Sequence, residues 1–323
     1  MIVIGFEEIK KLVQLDDLFE PIRQSFIDYS SGKLIAAPIN LLHFKDDSDA
    51  HIKIAAVEDC PYFSIKVATM YPKNVLHDLP MNNGAIFLFN AKTGEFSAIL
   101  HDKGYLTDMR TAAAGAIITN SLASKTAKTV AIIGTGMQAL YQIQALKRLR
   151  NFDQLFIYGR NTAKADALRA QLKNNLPDIT IQIAKSIEEA VKSSQIIITT
   201  TSSTLPLIKG DWLVDGQHMT ALGADDAYKK ELDVICFEKA NAIYLDSISL
   251  NKQYGEFSEA FDHDPSLIGK TCEFGQLFSD LDTVQVFPKS GITIAKLVGL
   301  GVQDLATATL VMNNYFCQST KKD

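Results

Sequence analysis

Apolar positions in the first part of the chain recur at helical spacing. Ile9, Leu12, Val13, Leu18, Phe19, Ile22 and Phe26 stand between polar residues and predict helix over residues 1–35. From about 36 to 105 the period shortens to that of strands. HIKIAAV, YFSIKVATMY and GAIFLFNAKTGEFSAIL alternate or run apolar, and Lys92-Thr93-Gly94 inside the last predicts a hairpin turn. Residues 106–123, LTDMRTAAAGAIITNSLA, return to an Ala-rich helical pattern.

After that the two periods alternate. TVAIIG leads into a glycine turn and the helix MQALYQIQALKRLR; LFIYG precedes NTAKADALRAQLKNN; ITIQIA, QIIITTT, QHMTALG and AIYLDS follow as further short strands. Short apolar strands spaced by helices predict a parallel sheet covered on both faces. Right-handed crossovers make that sheet doubly wound. The tail GITIAKLVGLGVQDLATATLVMNNYF predicts a glycine turn and an Ala/Val-rich helix that packs back on the first part of the chain without extending the sheet. The expected fold class is therefore α/β: a Rossmann doubly wound parallel sheet over 125–295, inserted in a second, α+β domain made of 1–124 and 296–323.

Length and composition fit this division. The chain has 323 residues, 47% hydrophobic and 21% charged, with a formal net charge of −5, which suits two globular domains. No basic stripe offers itself to nucleic acid, and no apolar run reaches the ~18 residues of a membrane span. Cys60, Cys236, Cys272 and Cys317 form no CxxC pair, and the six histidines show no metal-ligand spacing. A metal site is not expected. His218, inside a predicted strand, reads as a core histidine. The N-terminus lacks the basic region of a signal peptide, so a cytoplasmic location is expected.

The segment Gly134-Thr135-Gly136-Met137-Gln138-Ala139 is a GxGxxA loop that follows a strand and opens a helix, the context that makes this motif informative. Gly134 permits the turn, Gly136 lets the backbone approach a pyrophosphate, and the helix N-terminus offers N–H groups to the phosphates. Thr135, Met137 and Gln138 complete the loop. An NAD-preferring site places an acid at the end of the second strand. Here that strand ends Ile157-Tyr158-Gly159-Arg160-Asn161-Thr162. Arg160 suits a 2′-phosphate, with Asn161, Thr162 and Lys164 as further donors. The expected cofactor is NADP(H), with NAD(H) possible.

Several segments resemble one family, the ornithine cyclodeaminase/mu-crystallin superfamily: SIKVATMYPKN (64–74), LTDMRTAAAGAIITNSLA (106–123), VAIIGTGMQA (130–139), ALGADDAYKKELD (221–233) and AKLVGLGVQDLATA (295–308). They span almost the whole chain in the family's order. The resemblance implies cyclising deaminases, amino-acid dehydrogenases, ketimine reductases or a hormone-binding protein as relatives, and a homodimer built through the non-Rossmann domain. It implies that Lys66 faces the substrate carboxylate, that Arg110 grips it, and that Asp225 handles the substrate nitrogen. Thr200 and Thr201 would then back the nicotinamide ribose, Gly223, after the next strand, would join the cofactor site, and Val298 would approach the ring. One position departs. The family's Pro-x-Arg segment reads Ala37-Pro38-Ile39-Asn40, and Asn40 can bond a carboxylate but brings no charge.

Two cations and one carboxylate suit a small zwitterionic imino or amino acid, with Asp225 near a nitrogen that takes or keeps a proton. The reading that follows is an NAD(P)H-dependent reductase of a small cyclic imino acid, 1-pyrroline-2-carboxylate or 1-piperideine-2-carboxylate, giving L-proline or L-pipecolate. Two alternatives stay open. One is a cyclodeaminase that converts L-ornithine to L-proline and ammonia with catalytic NAD; the other is an NADPH-dependent binding protein like mu-crystallin.

Overall fold

The computed structural model describes residues 1–35, 40–44, 46, 48–279 and 291–319. These divide into two compact units, Met1–Arg110 with Leu300–Asp323, and Thr111–Gly299.

The first unit begins with β1 (Ile2–Gly5), α1 (Phe6–Leu12) and α2 (Leu15–Ser30), followed by β2 (Leu34–Ile35), β3 (Asn40–His43), β4 (Asp49–Val57), β5 (Tyr62–Met70), β6 (Asn82–Asn90) and β7 (Phe96–His101). Helix over 1–35 is thus corrected at its start. The Ile2-Val3-Ile4 run is β-branched, and it pairs parallel with β7. The helical stretch also breaks before α2, where the Gln14 backbone N–H donates to Asp17 Oδ2 at 2.9 Å. From β4 to β7 the strands are antiparallel neighbours. The hairpin at Lys92–Gly94 closes with Gly94 at φ 72°, while the Asn90 side chain accepts the Lys92 and Thr93 N–H groups.

Alternation along this meander sorts two faces. Lys53 and Ala55, Ser64 and Lys66, Ile86 and Leu88, Ala98 and Leu100 are all buried on one side. The helix α11 (Gly301–Ser319), numbered here by its place in the whole chain, packs against β4 and β5. A Cβ on Gly301 would meet the Ile54 carbonyl oxygen at 2.8 Å, so only glycine lets the helix start this close to the strand. On the opposite face, half-buried Phe63 stacks on Phe89 with centroids 4.9 Å apart, and Phe89 meets Phe96 at 5.0 Å.

The helix α3 (Tyr105–Leu122) carries the chain from the first unit into the second. The second unit continues with β8 (Thr129–Ile133), α4 (Met137–Leu149), β9 (Gln154–Tyr158), α5 (Thr162–Asn175), β10 (Thr180–Ile183), α6 (Ile187–Lys192), β11 (Ile196–Thr199) and β12 (His218–Ala221). It ends with α7 (Val234–Lys239), β13 (Ala242–Leu245), α8 (Ile248–Asn251), α9 (Glu256–His263), β14 (Thr271–Glu273), α10 (Phe274–Ser279) and β15 (Thr293–Lys296). All strand pairs in this sheet are parallel, in the order β10-β9-β8-β11-β12-β15-β13-β14. The expected α/β class with a parallel doubly wound sheet is observed. The tail departs from expectation in one respect: Thr293–Lys296 enters the parallel sheet between β12 and β13, and only the helix after it belongs to the first unit. Its four residues are buried, as an interior parallel strand requires.

Candidate active site

In the first unit, Lys66 and Arg110 meet on one carboxylate. Asp304 Oδ2 lies 2.9 Å from Lys66 Nζ, and Asp304 Oδ1 accepts the Arg110 Nε–H at 3.1 Å. All three are buried. Asp304 sits in the first turn of α11, where the helix dipole favours an acid. Burial alone would raise its carboxyl, but Lys66, Arg110 and Lys53 together hold it below the ordinary range. Burial pushes the Lys66 ammonium down, against the attraction of Asp304. Gln303 Oε1 fixes the rest of the arginine, accepting Arg110 Nη1–H at 3.1 Å and the Leu300 N–H at 2.9 Å. Asp102 closes the cluster. Its Oδ2 accepts the Leu106 N–H at 2.8 Å, and burial raises its carboxyl.

Asn40 is not buried with these groups. It is exposed at the start of β3, paired in register with Ile52. Ala37, Pro38 and Ile39 lie outside the described residues.

In the second unit, β8 runs into Gly134 at φ 124°, and a Cβ there would meet Thr200 Oγ1 at 2.6 Å. Only glycine tolerates both conditions. Gly136 differs: a Cβ built on it meets nothing within 4 Å, and as N-cap of α4 it supplies no side-chain cap. The space beside Gly136 at the N-terminus of α4 is therefore open, and fits a pyrophosphate where a side chain would intrude. Thr135 packs where Gly159 leaves no room for a Cβ, 2.4 Å from Thr135 Cγ2. Arg160, Asn161, Thr162 and Lys164 gather, exposed, where β9 gives way to α5, and Asn161 caps that helix by accepting the Lys164 N–H at 3.1 Å.

A buried carboxylate ties together the loops after β11 and β12. Glu231 accepts four donors: Thr199 Oγ1–H at 2.7 Å, Thr201 N–H at 2.6 Å, Thr201 Oγ1–H at 2.8 Å and Gly223 N–H at 2.7 Å. The loops are so closely zipped that a Cβ on Gly223 would lie 2.0 Å from the Thr201 carbonyl oxygen. Asp246 does the same for the loop after β15, taking the Val298 and Gly299 N–H groups at 2.9 and 2.7 Å. Thr200, Thr201, Gly223 and Val298 are thus all held by, or next to, buried acids.

Asp225 and Asp226 prove different in kind. Asp226 is buried and accepts the Tyr228 and Lys229 N–H groups, both at 2.8 Å, as a turn former. The Asp225 side chain is 35% exposed and ion-paired with Lys229 Nζ at 2.7 Å. Burial would lower the Lys229 ammonium, but the two aspartates raise it, so this lysine stays charged. His218 is a core residue. Its ring nitrogens bond Thr293 Oγ1 at 2.8 Å and Thr220 Oγ1 at 2.9 Å, and burial lowers it to about 3.

Residues 2–319 match the ornithine cyclodeaminase/mu-crystallin family. The chain belongs to that family. It is 34% identical over 309 residues to an uncharacterized cyclodeaminase of Sinorhizobium fredii, covering 94% of this chain and 92% of the relative. Its fold is similar to that of the Thermococcus litoralis Δ1-pyrroline-2-carboxylate reductase solved with NADH and L-proline (TM-score 0.89, 25% identity, 99% and 98% of the two chains). It is also similar to an archaeal alanine dehydrogenase dimer solved with bound NAD (TM-score 0.90, 28% identity, 99% and 97%).

Within this family fold, sequence reasoning missed Asp304, Gln303, Lys53 and Glu231. Lys53 and Lys66 did carry a signal. Each interrupts the apolar, inward-facing positions of a strand, where a lysine needs an anion. Asp304 and Glu231 gave no local signal, because their partners are distant in sequence.

Proposed function

We propose that this chain is a nicotinamide-dependent oxidoreductase that reduces the C=N bond of a small α-imino acid. The observation that carries the reading is the buried pair Lys66 and Arg110, oriented by one carboxylate, in a chain that also offers a dinucleotide bed at Gly134–Gln138. When bound, the reduced nicotinamide would supply a hydride to the imine carbon. Arg110 and Lys66 would hold the substrate carboxylate by charge-assisted bonds. Asp225, ion-paired with Lys229, would face the substrate nitrogen and hold its proton. A cyclic imine such as 1-pyrroline-2-carboxylate belongs to this class, and the reductase solved with NADH and L-proline supports it.

Three finer assignments belong to the same proposal. Exposed Arg160 and its neighbours favour NADP(H) over NAD(H). The half-buried aromatic face of β5–β7 supports a homodimer through the domain proposed to bind substrate, formed by 1–124 and 296–323, with 125–295 binding the dinucleotide. Free thiols at all four cysteines support a reducing, cytoplasmic location. Among the described residues no helix is long and apolar enough to cross a membrane.

The test is a panel. Purified protein is mixed with NADPH or NADH and with 1-pyrroline-2-carboxylate, 1-piperideine-2-carboxylate, or the imines formed from pyruvate or oxaloacetate with ammonia, while nicotinamide absorbance is followed. In parallel, L-ornithine and NAD⁺ are assayed for ammonia. Net cofactor oxidation by at least one imine, without ammonia from ornithine, is expected. Ammonia release with no net cofactor change overturns the reading.

A further inference from the structure

Lys296 ends β15, the strand inserted between β12 and β13, and its register partners are Ala221 and Leu245. It therefore stands at the carboxyl edge of the parallel sheet, where open α/β sheets bind their ligands. The side chain is fully buried. A lysine in such a place needs acceptors and an anion, and it has both. Nζ donates to the Ala224 carbonyl oxygen and, at 3.0 Å, to that of Leu297. Glu256, also buried, is the more distant partner. Its Oε2 lies 3.9 Å from Nζ, and neither of its oxygens is hydrogen-bonded. A carboxylate is the stronger acceptor for a lysine, yet the short contacts go to two loop carbonyls. An apolar pair of the same volume commonly serves a core as well as a buried ion pair does, so stability does not account for a lysine here.

The two carbonyls belong to the loops of the proposed nicotinamide site. Ala224 lies between Gly223 and Asp225, and Leu297 precedes Val298. The backbone on either side of Asp225 is gripped: Lys296 holds the Ala224 carbonyl, and the Gly255 N–H donates to the Asp226 carbonyl at 2.8 Å. Gly255, at φ 71°, makes room for both contacts. A Cβ there would lie 2.9 Å from the Ala224 oxygen and 2.9 Å from Lys296 Cε. Lys229 pairs with the Asp225 side chain, whereas Lys296 and Gly255 hold the main chain that carries it.

We infer that Lys296 is a positioning residue, which acts through the Ala224 carbonyl to fix where Asp225 stands for the substrate nitrogen. The inference rests on the role proposed above for Asp225 and names the group that sets it in place.

The test is a double-mutant cycle, run on the imine that the wild type reduces best. Lys296→Met is expected to lower kcat roughly tenfold to a hundredfold, the scale of a misplacement of about 1 Å near the chemistry. ADP-ribose, measured by calorimetry, should bind this variant as it binds the wild type. In the Asp225→Asn background the same substitution should cost less than about threefold, because the group it positions is already gone. Should Lys296→Met fail to fold, Lys296→Met/Glu256→Gln, which removes both buried charges, takes its place in the cycle. An unchanged kcat, equal losses in the two backgrounds, or loss of ADP-ribose binding along with kcat overturns the inference and leaves the reductase reading standing. Wild-type kcat in Asp225→Asn overturns the role of Asp225 and this inference with it. No cofactor oxidation with any imine overturns the reductase reading as well.

Discussion

Asp304 Oδ2 stands 2.9 Å from Lys66 Nζ, and the other oxygen of the same carboxylate receives Arg110. One acid therefore sets the direction of both cations, each of which could otherwise choose among rotamers. Breaking such a pair by removing one partner leaves buried charge uncompensated, at a cost of about 3–5 kcal/mol. Asp304→Asn is expected to raise the imino-acid KM by at least about tenfold and to lower the melting temperature. Steady-state kinetics with thermal unfolding checks this; an unchanged KM would remove Asp304 from the substrate site.

Glu231 should act on one half of the cofactor only. It holds Thr201 and Gly223, whereas the proposed pyrophosphate bed at Gly134–Gln138 is built separately from β8 and α4. Glu231→Gln keeps one acceptor oxygen but loses the charge and replaces the other oxygen, which accepts two of the four bonds, with a donor NH2. It is expected to weaken NADH roughly tenfold while ADP-ribose, which lacks the nicotinamide, loses much less. Calorimetric titration with both ligands separates the outcomes. Equal losses would mean a general collapse of the domain.

The Cβ clash at Gly223 leads to a harsher expectation. A methyl placed 2.0 Å from the Thr201 carbonyl oxygen cannot be absorbed without parting the two loops. Gly223→Ala should abolish detectable NADH binding, whereas Gly136→Ala, with open space around it, should fold normally and weaken the dinucleotide by filling its bed. Dinucleotide titrations alongside circular dichroism distinguish the two effects.

Arg160 is the residue on which the proposed preference for NADP(H) rests. It stands exposed just after β9, where an NAD-preferring site would carry an acid, so Arg160→Asp should raise the KM for NADPH far more than that for NADH. Reversal of charge against a 2′-phosphate is worth about a hundredfold or more. Equal changes for the two cofactors would refute a 2′-phosphate contact.

Glu256 gives a pH signature. It is fully buried, and burial raises its carboxyl to about 7 despite Lys296 nearby. Its folded value lies above the ordinary glutamate value of 4.5, so the native state binds the extra proton between these limits. Stability contributed by this group is therefore present below about 4.5 and is lost as pH rises toward 7, by at most about 3 kcal/mol. Glu256→Gln should flatten the fall in melting temperature over that window. A parallel wild-type curve would show that the group titrates normally.

The hydrophobic period alone determined much of this protein. Strand–helix alternation after Thr129, the glycine loop at Gly134–Ala139 and the meander around Lys66 all follow from local pattern, because a strand or helix must present one apolar face and a turn must permit its own dihedrals. Local pattern did not determine where the tail strand goes. Thr293–Lys296 reads the same whether it lies beside β12 or elsewhere, and only sheet assembly inserted it between β12 and β13. The polar core was equally out of reach. Asp304 is 238 positions from Lys66 in sequence and is brought to it only by packing α11 on β5; Glu231 owes its role to loops that meet after β11 and β12. Buried charges are satisfied by whatever the fold places beside them, and that is a property of tertiary contacts, invisible to any window of sequence.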